Sequence, residues 1–327
     1  MKLHSDKDAF EGIILDIENR EGIRSDVLEK DYYVTLMLYE LSKRQDEWKA
    51  YFKGGTALYK ALCSINRFSE DIDLTVYVDD CPSTNQKRIR LERAAEGYTS
   101  LFKIEDDKEN IKSKGSITTI YGYEPVFNQL LDDPLQRFGR VKVEATSFTV
   151  SEPTERMLIA PVLYDKATAE QKNILKEQFD VFSFEIITIK LERIFVDKVF
   201  AAEFYYRRFK DYSLEDEKRK SAAFDVAKHV YDLMILFQNS KIKSLLSDEQ
   251  VLNQIIRFKR KEEEVRAGGI ENSYKIKKFS YLNKIFVDAE FSAVYEKMQD
   301  IYIFNDKDKR PLKNAGNVFE AIRAINE

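Results

Sequence analysis

Glycine and proline are scarce in this sequence, with 11 and 6 occurrences in 327 residues. Proteins on average contain about 7% glycine and about 5% proline. Neither residue type occurs anywhere between residues 162 and 266. Because β-hairpins depend on these residues for their turns, the scarcity argues against a β-sandwich or a propeller, and it predicts a mostly helical structure for that stretch.

Cysteine and histidine are also rare, at two residues each. Two cysteines cannot build a disulfide framework, and two histidines are too few for a His/Cys zinc site of the usual spacing. No run approaches the roughly 18 apolar residues that span a bilayer, and charges interrupt the first twenty residues, where a signal peptide has an apolar core. We therefore expect a protein of the cytoplasm without a membrane partner.

Neither sign of charge is in large excess, since 53 Lys and Arg against 57 Asp and Glu leave a net charge of −4. The distribution is uneven, however, with nine Lys or Arg and four Asp or Glu between residues 257 and 284. This basic segment is either a solvated helical surface or a contact patch for RNA phosphates. The second interpretation assigns RNA contacts to Arg257, Lys259, Arg260 and Lys261.

Hydrophobic periodicity predicts helices and strands in the first 187 residues and helices afterwards. The expected helices are residues 8–18, 25–44, 56–65, 84–102 and 167–178, and the expected strands are residues 50–52, 71–78, 117–123, 140–150 and 181–187. The sequence thus predicts an α+β fold. A small mixed sheet with flanking helices would form residues 1–187, and a mostly helical domain would form residues 188–327.

Two carboxylates stand out on the strand predicted at residues 71–78. Asp71 and Asp73 are two residues apart, and their side chains therefore project from one face of the strand, about 7 Å apart. Such a pair can hold Mg²⁺ or Mn²⁺ together with substrate phosphates. The same spacing recurs in polar surroundings at Asp6/Asp8 and Asp306/Asp308. The first pair differs from these two because apolar residues alternate with it along a strand.

A third carboxylate, Glu144, lies on the strand predicted at residues 140–150. If two metal ions are bridged, a neighbouring strand should supply such a ligand. Apolar residues flank Glu144, and an unpaired carboxylate among them would be costly. A solvent-facing Glu on an edge strand is the alternative interpretation.

A glycine doublet, Gly54-Gly55, separates the strand at residues 50–52 from the following helix. Glycines at such a turn let backbone N–H groups approach a phosphate, and the helix directs its positive end toward the anion. Together with Thr56 and Ser69 they form a candidate nucleotide-binding set, with a ligand-free tight turn as the alternative. Neither a P-loop nor a dinucleotide-binding Gly-x-Gly-x-x-Gly pattern is present.

The two glycines, the helix, the Asp-x-Asp pair and the later strand carboxylate together resemble the polymerase-β-like nucleotidyltransferase superfamily. More narrowly, residues 52–58 (FKGGTAL) and 67–74 (RFSEDIDL) are similar to motifs of the AbiEii/AbiGii nucleotidyltransferase toxins. Residues 29–35, 197–201 and 228–233 resemble further segments of that family, with Asp197 and Lys228 in place of Glu and Arg. The resemblance covers parts of residues 29–233 and does not reach the basic segment.

This resemblance implies metal-dependent transfer of a nucleoside monophosphate from an NTP to an acceptor hydroxyl. It also implies a toxin of a toxin–antitoxin or phage-defence system, with an antitoxin partner and with the 3′ end of tRNA as the acceptor. A protein or a small molecule as the acceptor is an alternative. A non-catalytic module that binds a nucleotide or a partner is another.

The resemblance further implies that Lys198 and Asp232 complete the active site from the helical domain. Lys198 lies on the apolar stripe of its helix, where its ammonium is either paired, for example with Asp232, or extended to solvent. Near bound nucleotide this ammonium would neutralise phosphate charge. Lys30 is a further candidate for the same cleft.

Overall fold

The computed structural model describes residues 1–62, 66–127, 138–303 and 305–327. The chain divides into two compact units, Met1–Ile189 and Lys190–Glu327. The domain boundary expected after residue 187 stays a prediction. The break between the two compact units lies after Ile189. Across the described residues, no helix is both long enough and apolar enough to cross a bilayer.

The first unit combines six α-helices, one short 3-10 helix and eight strands among its described residues. The helices are α1 (Lys7–Glu21), α2 (Ser25–Trp48), α3 (Gly54–Ala61), α4 (Thr84–Glu96), α5 (Val162–Lys166) and α6 (Ala169–Phe179). The strands are β1 (Ala50–Lys53), β2 (Ile72–Val76), β3 (Phe102–Lys103), β4 (Ile111–Ser113), β5 (Ser116–Gly122), β6 (Arg140–Thr146), β7 (Thr154–Ile159) and β8 (Phe184–Ile189).

The eight strands form one mixed sheet in the order β3-β5-β6-β2-β1-β8-β7, with β4 paired to β5. At its centre, β2 runs antiparallel to β1 and parallel to β6. Alternating sequence gives the central strands one apolar side, on which Phe52, Ile72, Leu74, Val143 and Ala145 are all buried. Helices α2 and α4 pack against these strands. The other side of β2 and β6 carries the polar residues of interest.

The second unit is helical, and none of its described residues lies in a strand. Its α-helices are α7 (Leu191–Phe209), α8 (Asp216–Phe237), α9 (Ser240–Ser247), α10 (Glu249–Val265), α11 (Tyr281–Lys284), α12 (Ala289–Tyr302) and α13 (Gly316–Arg323), and short 3-10 helices connect some of them. The long helices α7 and α8 pack along each other. This confirms the predicted α+β class, a mixed sheet with helices followed by a mostly helical region.

Several element boundaries differ from the sequence predictions. The helix expected at residues 56–65 begins at Gly54 and ends at Ala61, and residues 63–65 lie outside the described part of the chain. The helix expected at residues 84–102 ends at Glu96. Three strands were missed altogether, β3, β4 and β7. All three lie at the periphery of the sheet. Strands β3 and β4 are only two and three residues long, and β7 groups its polar residues before its apolar ones, so none of the three shows the apolar alternation of a half-buried strand.

Candidate active site

The predicted carboxylates lie on one face of the central strands. In the sheet register, Asp73 of β2 pairs with Lys53 of β1 on one side and with Glu144 of β6 on the other. Residues paired in adjacent strands project to the same face, which places these three side chains in one row. Asp71 directly precedes β2 and is two residues from Asp73. We call Asp71, Asp73 and Glu144, with the side chains between them, the carboxylate face.

Besides Lys53, the face contains a second lysine that was not predicted from the sequence, Lys142. Its Nζ lies 3.2 Å from Oδ2 of Asp71 and 3.0 Å from Oε1 of Glu144, and it bridges the two carboxylates. The signal was local, because Lys142 and Glu144 are two residues apart on β6 and so share a face. The sequence prediction considered only the carboxylates as site residues and did not include Lys142.

The charges of the carboxylate face act on one another. Partial burial of the carboxyl group, together with repulsion from Glu144 and Asp71, raises the pKa of Asp73 to about 7. Burial alone lowers the pKa of the Lys142 ammonium, but the carboxylates of Asp71 and Glu144 outweigh burial and hold that pKa well above its ordinary value. Lys53 and Lys142 oppose this shift of the Asp73 pKa, but their positive charges do not cancel it.

The chemistry of this donor set fits a divalent cation. Three carboxylates supply the hard oxygen ligands that Mg²⁺ and Mn²⁺ prefer, and a cation, the Lys142 ammonium, already lies between two of them. As placed, however, no group of three or more His, Cys, Asp or Glu side chains in the described residues is arranged to hold a metal ion. Asp71 and Glu144 converge on a lysine instead.

The glycine doublet begins α3 and lies directly against the carboxylate face. Gly54 has φ +82°, in the left-handed region, and a Cβ atom added there would lie 1.9 Å from Oδ2 of Asp73. A Cβ atom on Gly55 would lie 2.5 Å from Oγ of Ser69 and 3.2 Å from Nη2 of Arg67. Only glycine leaves room for these approaches. The start of α3, which is the positive end of the helix dipole, therefore lies beside Asp73.

Thr56 has a positioning role in this structure. Its side chain is buried, and its hydroxyl donates a hydrogen bond of 2.7 Å to the backbone carbonyl of Asp71. Oγ of Ser69 lies 3.2 Å from the same hydroxyl oxygen. Thr56 thus connects α3 to the backbone that presents Asp71. Nucleotide contacts by Gly54, Gly55, Thr56 and Ser69 stay predictions.

Lys30 contacts residues next to the carboxylate face, and a role for it in the same cleft stays a prediction. Its side chain is buried, its ammonium pairs with Glu70 at 3.0 Å, and it donates a hydrogen bond to the carbonyl of Arg140. Glu70 directly precedes Asp71, and Arg140 is the first residue of β6. A single buried lysine of α2 therefore links the chain segments that lead into the two carboxylate-bearing strands.

Within the second unit, Lys198 of α7 and Asp232 of α8 form a buried ion pair. Their Nζ and Oδ2 atoms are 2.8 Å apart, and the side chains are 9% and 0% exposed. This is the pairing that the apolar position of Lys198 suggested. A part for the two residues in nucleotidyl transfer stays a prediction.

The basic segment predicted to contact RNA separates into buried and exposed residues. Lys259 is buried on α10 and pairs with Glu262 at 3.1 Å and with Glu263 at 2.9 Å. Arg260 is buried as well and pairs with the carboxylate of Glu327 at 2.8 Å. Both have an internal structural role, which removes them from the proposed contact surface.

The other two members of the predicted RNA-contact set, Arg257 and Lys261, have exposed side chains on α10. They are four residues apart, about one helical turn, and between them lie Lys259 and Arg260, which are buried. Periodicity of 3.6 residues explains this division, because neighbouring residues of a helix face different directions. The RNA contact stays a prediction for these two residues.

Comparison with known families shows the family of the chain. The family model described as the nucleotidyl transferase AbiEii toxin of type IV toxin–antitoxin systems matches residues 36–322. The chain belongs to this family, which makes it a nucleotidyltransferase with an NTP substrate and a toxin that has a cognate antitoxin. No curated protein matches the chain. The family resemblance is confirmed, and the motifs at residues 52–58, 67–74, 197–201 and 228–233 lie within the match, whereas residues 29–35 precede it. The match also extends through the segment that carried no recognisable motif.

Proposed function

We propose that this nucleotidyltransferase transfers a nucleoside monophosphate from an NTP to the 3′-terminal hydroxyl of tRNA and thereby blocks translation. The observation that carries the chemistry is the row of carboxylates on β2 and β6 beside the glycine start of α3. The tRNA acceptor rests on resemblance to the AbiEii/AbiGii toxins. Both substrates are molecules of the cytoplasm, and the proposal therefore locates the protein there.

In the proposed site, Asp71, Asp73 and Glu144 would hold Mg²⁺ or Mn²⁺. Such an ion would neutralise phosphate charge and make the acceptor hydroxyl easier to deprotonate. The residues of the chain supply position and charge. The backbone N–H groups of Gly54 and Gly55 would bind the triphosphate at the N-terminal start of α3, together with the hydroxyl groups of Thr56 and Ser69.

The proposed reaction balances as a simple displacement. The acceptor oxygen forms a bond to the α-phosphorus, the bond from that phosphorus to the bridging oxygen of the β-phosphate breaks, and pyrophosphate leaves. The hydroxyl proton passes to Glu144. Lys198, with Asp232 to hold its ammonium, is proposed to stabilise phosphate charge.

Labelled NTPs test the activity and the acceptor together. The purified chain is incubated with Mg²⁺, each labelled NTP in turn, and total cellular RNA and protein. We expect label in the tRNA band. Label in protein or in a small molecule would replace the proposed acceptor by one of the alternatives, and no label from any NTP would refute the proposal.

Paired aspartate variants test the site. We expect Asp71→Asn/Asp73→Asn to abolish labelling while its melting temperature stays close to that of the wild type. The matched control is Asp306→Asn/Asp308→Asn, which removes the same two charges at the same spacing from a short 3-10 helix of the second unit. Labelling by the first variant at wild-type rate would exclude the carboxylate face as the active site.

A further inference from the structure

Lys142 occupies a position that the register of the sheet determines. Ile72 of β2 pairs with Val143 of β6 in a parallel ladder. The residues that precede this pair, Asp71 and Lys142, are therefore neighbours on the face opposite the apolar core. Glu144 is the next residue of β6 on that face. The ammonium of Lys142 therefore lies close to both carboxylates, and it contacts each of them.

We propose that Lys142 is a built-in competitor of the divalent cation, which holds Asp71 and Glu144 together until a metal–nucleotide complex displaces it. The inference rests on the proposed function of the carboxylate face. It adds a role for a side chain that has no place among the proposed metal ligands. An ammonium and a divalent cation repel each other, and the two cannot share the space between the same two carboxylates.

The exposure of the three side chains makes this displacement feasible. Lys142, Asp71 and Glu144 have 26%, 41% and 40% of their side chains exposed. Ion pairs in contact with solvent exchange partners more readily than buried pairs, because water can take the place of either partner. The buried pair of Arg193 with Glu262, whose side chains are 1% and 3% exposed, illustrates the opposite case of a fixed structural contact.

The functional consequence is linkage between metal and nucleotide binding. While Lys142 neutralises Asp71 and Glu144, a free divalent cation must compete with it and therefore binds weakly. A metal ion that arrives with a triphosphate brings additional contacts at the start of α3, and these offset the loss of the lysine ion pairs. The site would then assemble when both substrate components are present.

Mn²⁺ binding to the full chain without nucleotide, measured by electron paramagnetic resonance or calorimetry, tests the inference. We expect Lys142→Met to bind Mn²⁺ on the order of tenfold more tightly than the wild type, because the competitor is gone. Lys142→Arg, which keeps the charge, should bind as weakly as the wild type. Melting temperatures with and without Mg²⁺ provide the second measurement, and Mg²⁺ should raise that of Lys142→Met more than that of the wild type.

Lys53→Met is the matched control, because it removes a positive charge from the same face. Lys53 pairs with Asp73 in the register, and its Nζ lies 3.2 Å from Oγ1 of Thr146, so it is not the cation that bridges Asp71 and Glu144. A general loss of positive charge would tighten Mn²⁺ binding equally in both variants. Equal tightening, or weaker binding by Lys142→Met, would overturn the inference and leave the proposed function intact. Absence of Mn²⁺ binding by every protein, even with an NTP analogue, would overturn both.

Discussion

Gly54 and Asp73 approach each other so closely that a Cβ atom on residue 54 would lie 1.9 Å from the carboxylate oxygen of Asp73. The backbone of Gly54 also has φ +82°, which L-residues with a side chain rarely adopt. The start of the proposed phosphate-binding helix and one proposed metal ligand are therefore in direct contact. Any side chain at residue 54 must move the carboxylate.

We expect Gly54→Ala to abolish nucleotidyl transfer and to destabilise the fold by at least about 1–2 kcal/mol, the cost of the left-handed conformation. Labelling assays and urea unfolding measure the two effects. Gly12→Ala is the control, because Gly12 lies inside α1 with no atom near its missing Cβ. That change should stabilise the protein by about 1 kcal/mol and leave activity unchanged. Normal activity in Gly54→Ala would contradict the assignment of this contact to the active site.

Gly55 and Ser69 should show coupled effects on stability. A Cβ atom on Gly55 would lie 2.5 Å from Oγ of Ser69 but 3.4 Å from its Cβ, which is an ordinary contact distance. We therefore expect Gly55→Ala to destabilise the protein and Ser69→Ala to recover part of that loss in the double variant. Urea unfolding of the four proteins gives the coupling free energy. Additive effects would show that the clash with the Ser69 hydroxyl is not the cause.

The buried pair of Lys198 and Asp232 predicts a large stability effect independent of catalysis. Removing one partner leaves an unpaired buried charge, and Asp232→Ala should therefore cost about 3–5 kcal/mol. The double variant Lys198→Met/Asp232→Leu should cost less than the sum of the single changes. Unfolding in urea measures each value.

Asp225→Ala on the same helix is the control for this prediction. Asp225 pairs with Lys228 at 2.7 Å, but these side chains are 27% and 25% exposed. A solvent-exposed pair of this kind contributes about 0–1 kcal/mol. If Asp232→Ala costs no more than Asp225→Ala, the Lys198–Asp232 contact is not a significant source of stability.

Glu29 of α2 should give the protein a measurable dependence of stability on pH. Burial raises the pKa of its carboxyl group to about 7, even though the N–H groups of Val126 and Phe127 donate to it and oppose the shift. A carboxyl with a raised pKa in the folded state favours folding when protonated. Its contribution is complete below about pH 4.5 and is lost as the pH rises through about 7.

Comparison with Glu29→Gln isolates this contribution. The free energy of unfolding of the wild type, relative to that of the variant, should fall by at most about 3 kcal/mol between pH 4.5 and pH 8. Denaturant unfolding at a series of pH values measures it. A difference between the two proteins that does not change with pH would show that Glu29 titrates normally.

The exposed basic residues of α10 predict a specific defect in RNA binding. We expect Arg257→Glu/Lys261→Glu to weaken tRNA binding and to reduce its dependence on salt, while NTP binding is unchanged. Fluorescence anisotropy of labelled tRNA over a range of KCl concentrations measures both. The control is Lys243→Glu/Lys297→Glu, which reverses two other exposed lysines of the second unit. Equal weakening by both variants would indicate a general charge effect and no contact patch.

Local patterns were sufficient to predict the class of fold and the strands beside which the carboxylates lie. The alternation around Asp71 and Asp73 marked a half-buried strand, and a similar alternation marked Glu144. Both patterns span only a few residues and depend on backbone geometry that is the same in every strand. The absence of glycine and proline was also a local signal, because both residues destabilise the interior of any helix. The helices predicted from this absence were confirmed.

Charged residues were harder to interpret from the sequence. Lys259 and Arg260 look like part of a basic surface because they lie in a basic segment. The structure buries both, one against acidic residues of the next helical turn and the other against Glu327, more than sixty residues further along the chain. Whether a charge faces solvent depends on the neighbours that folding brings to it, and local spacing contains no information about distant partners.

The same distinction applies to the carboxylate face. Residue types and their spacing along β2 and β6 were enough to identify a candidate metal and nucleotide site, because a strand directs alternate side chains to one side. The register between the two strands is a property of the folded sheet. It brings the Lys142 ammonium between Asp71 and Glu144 and sets Gly54 against Asp73, since hydrogen bonds between strands fix which residues become neighbours.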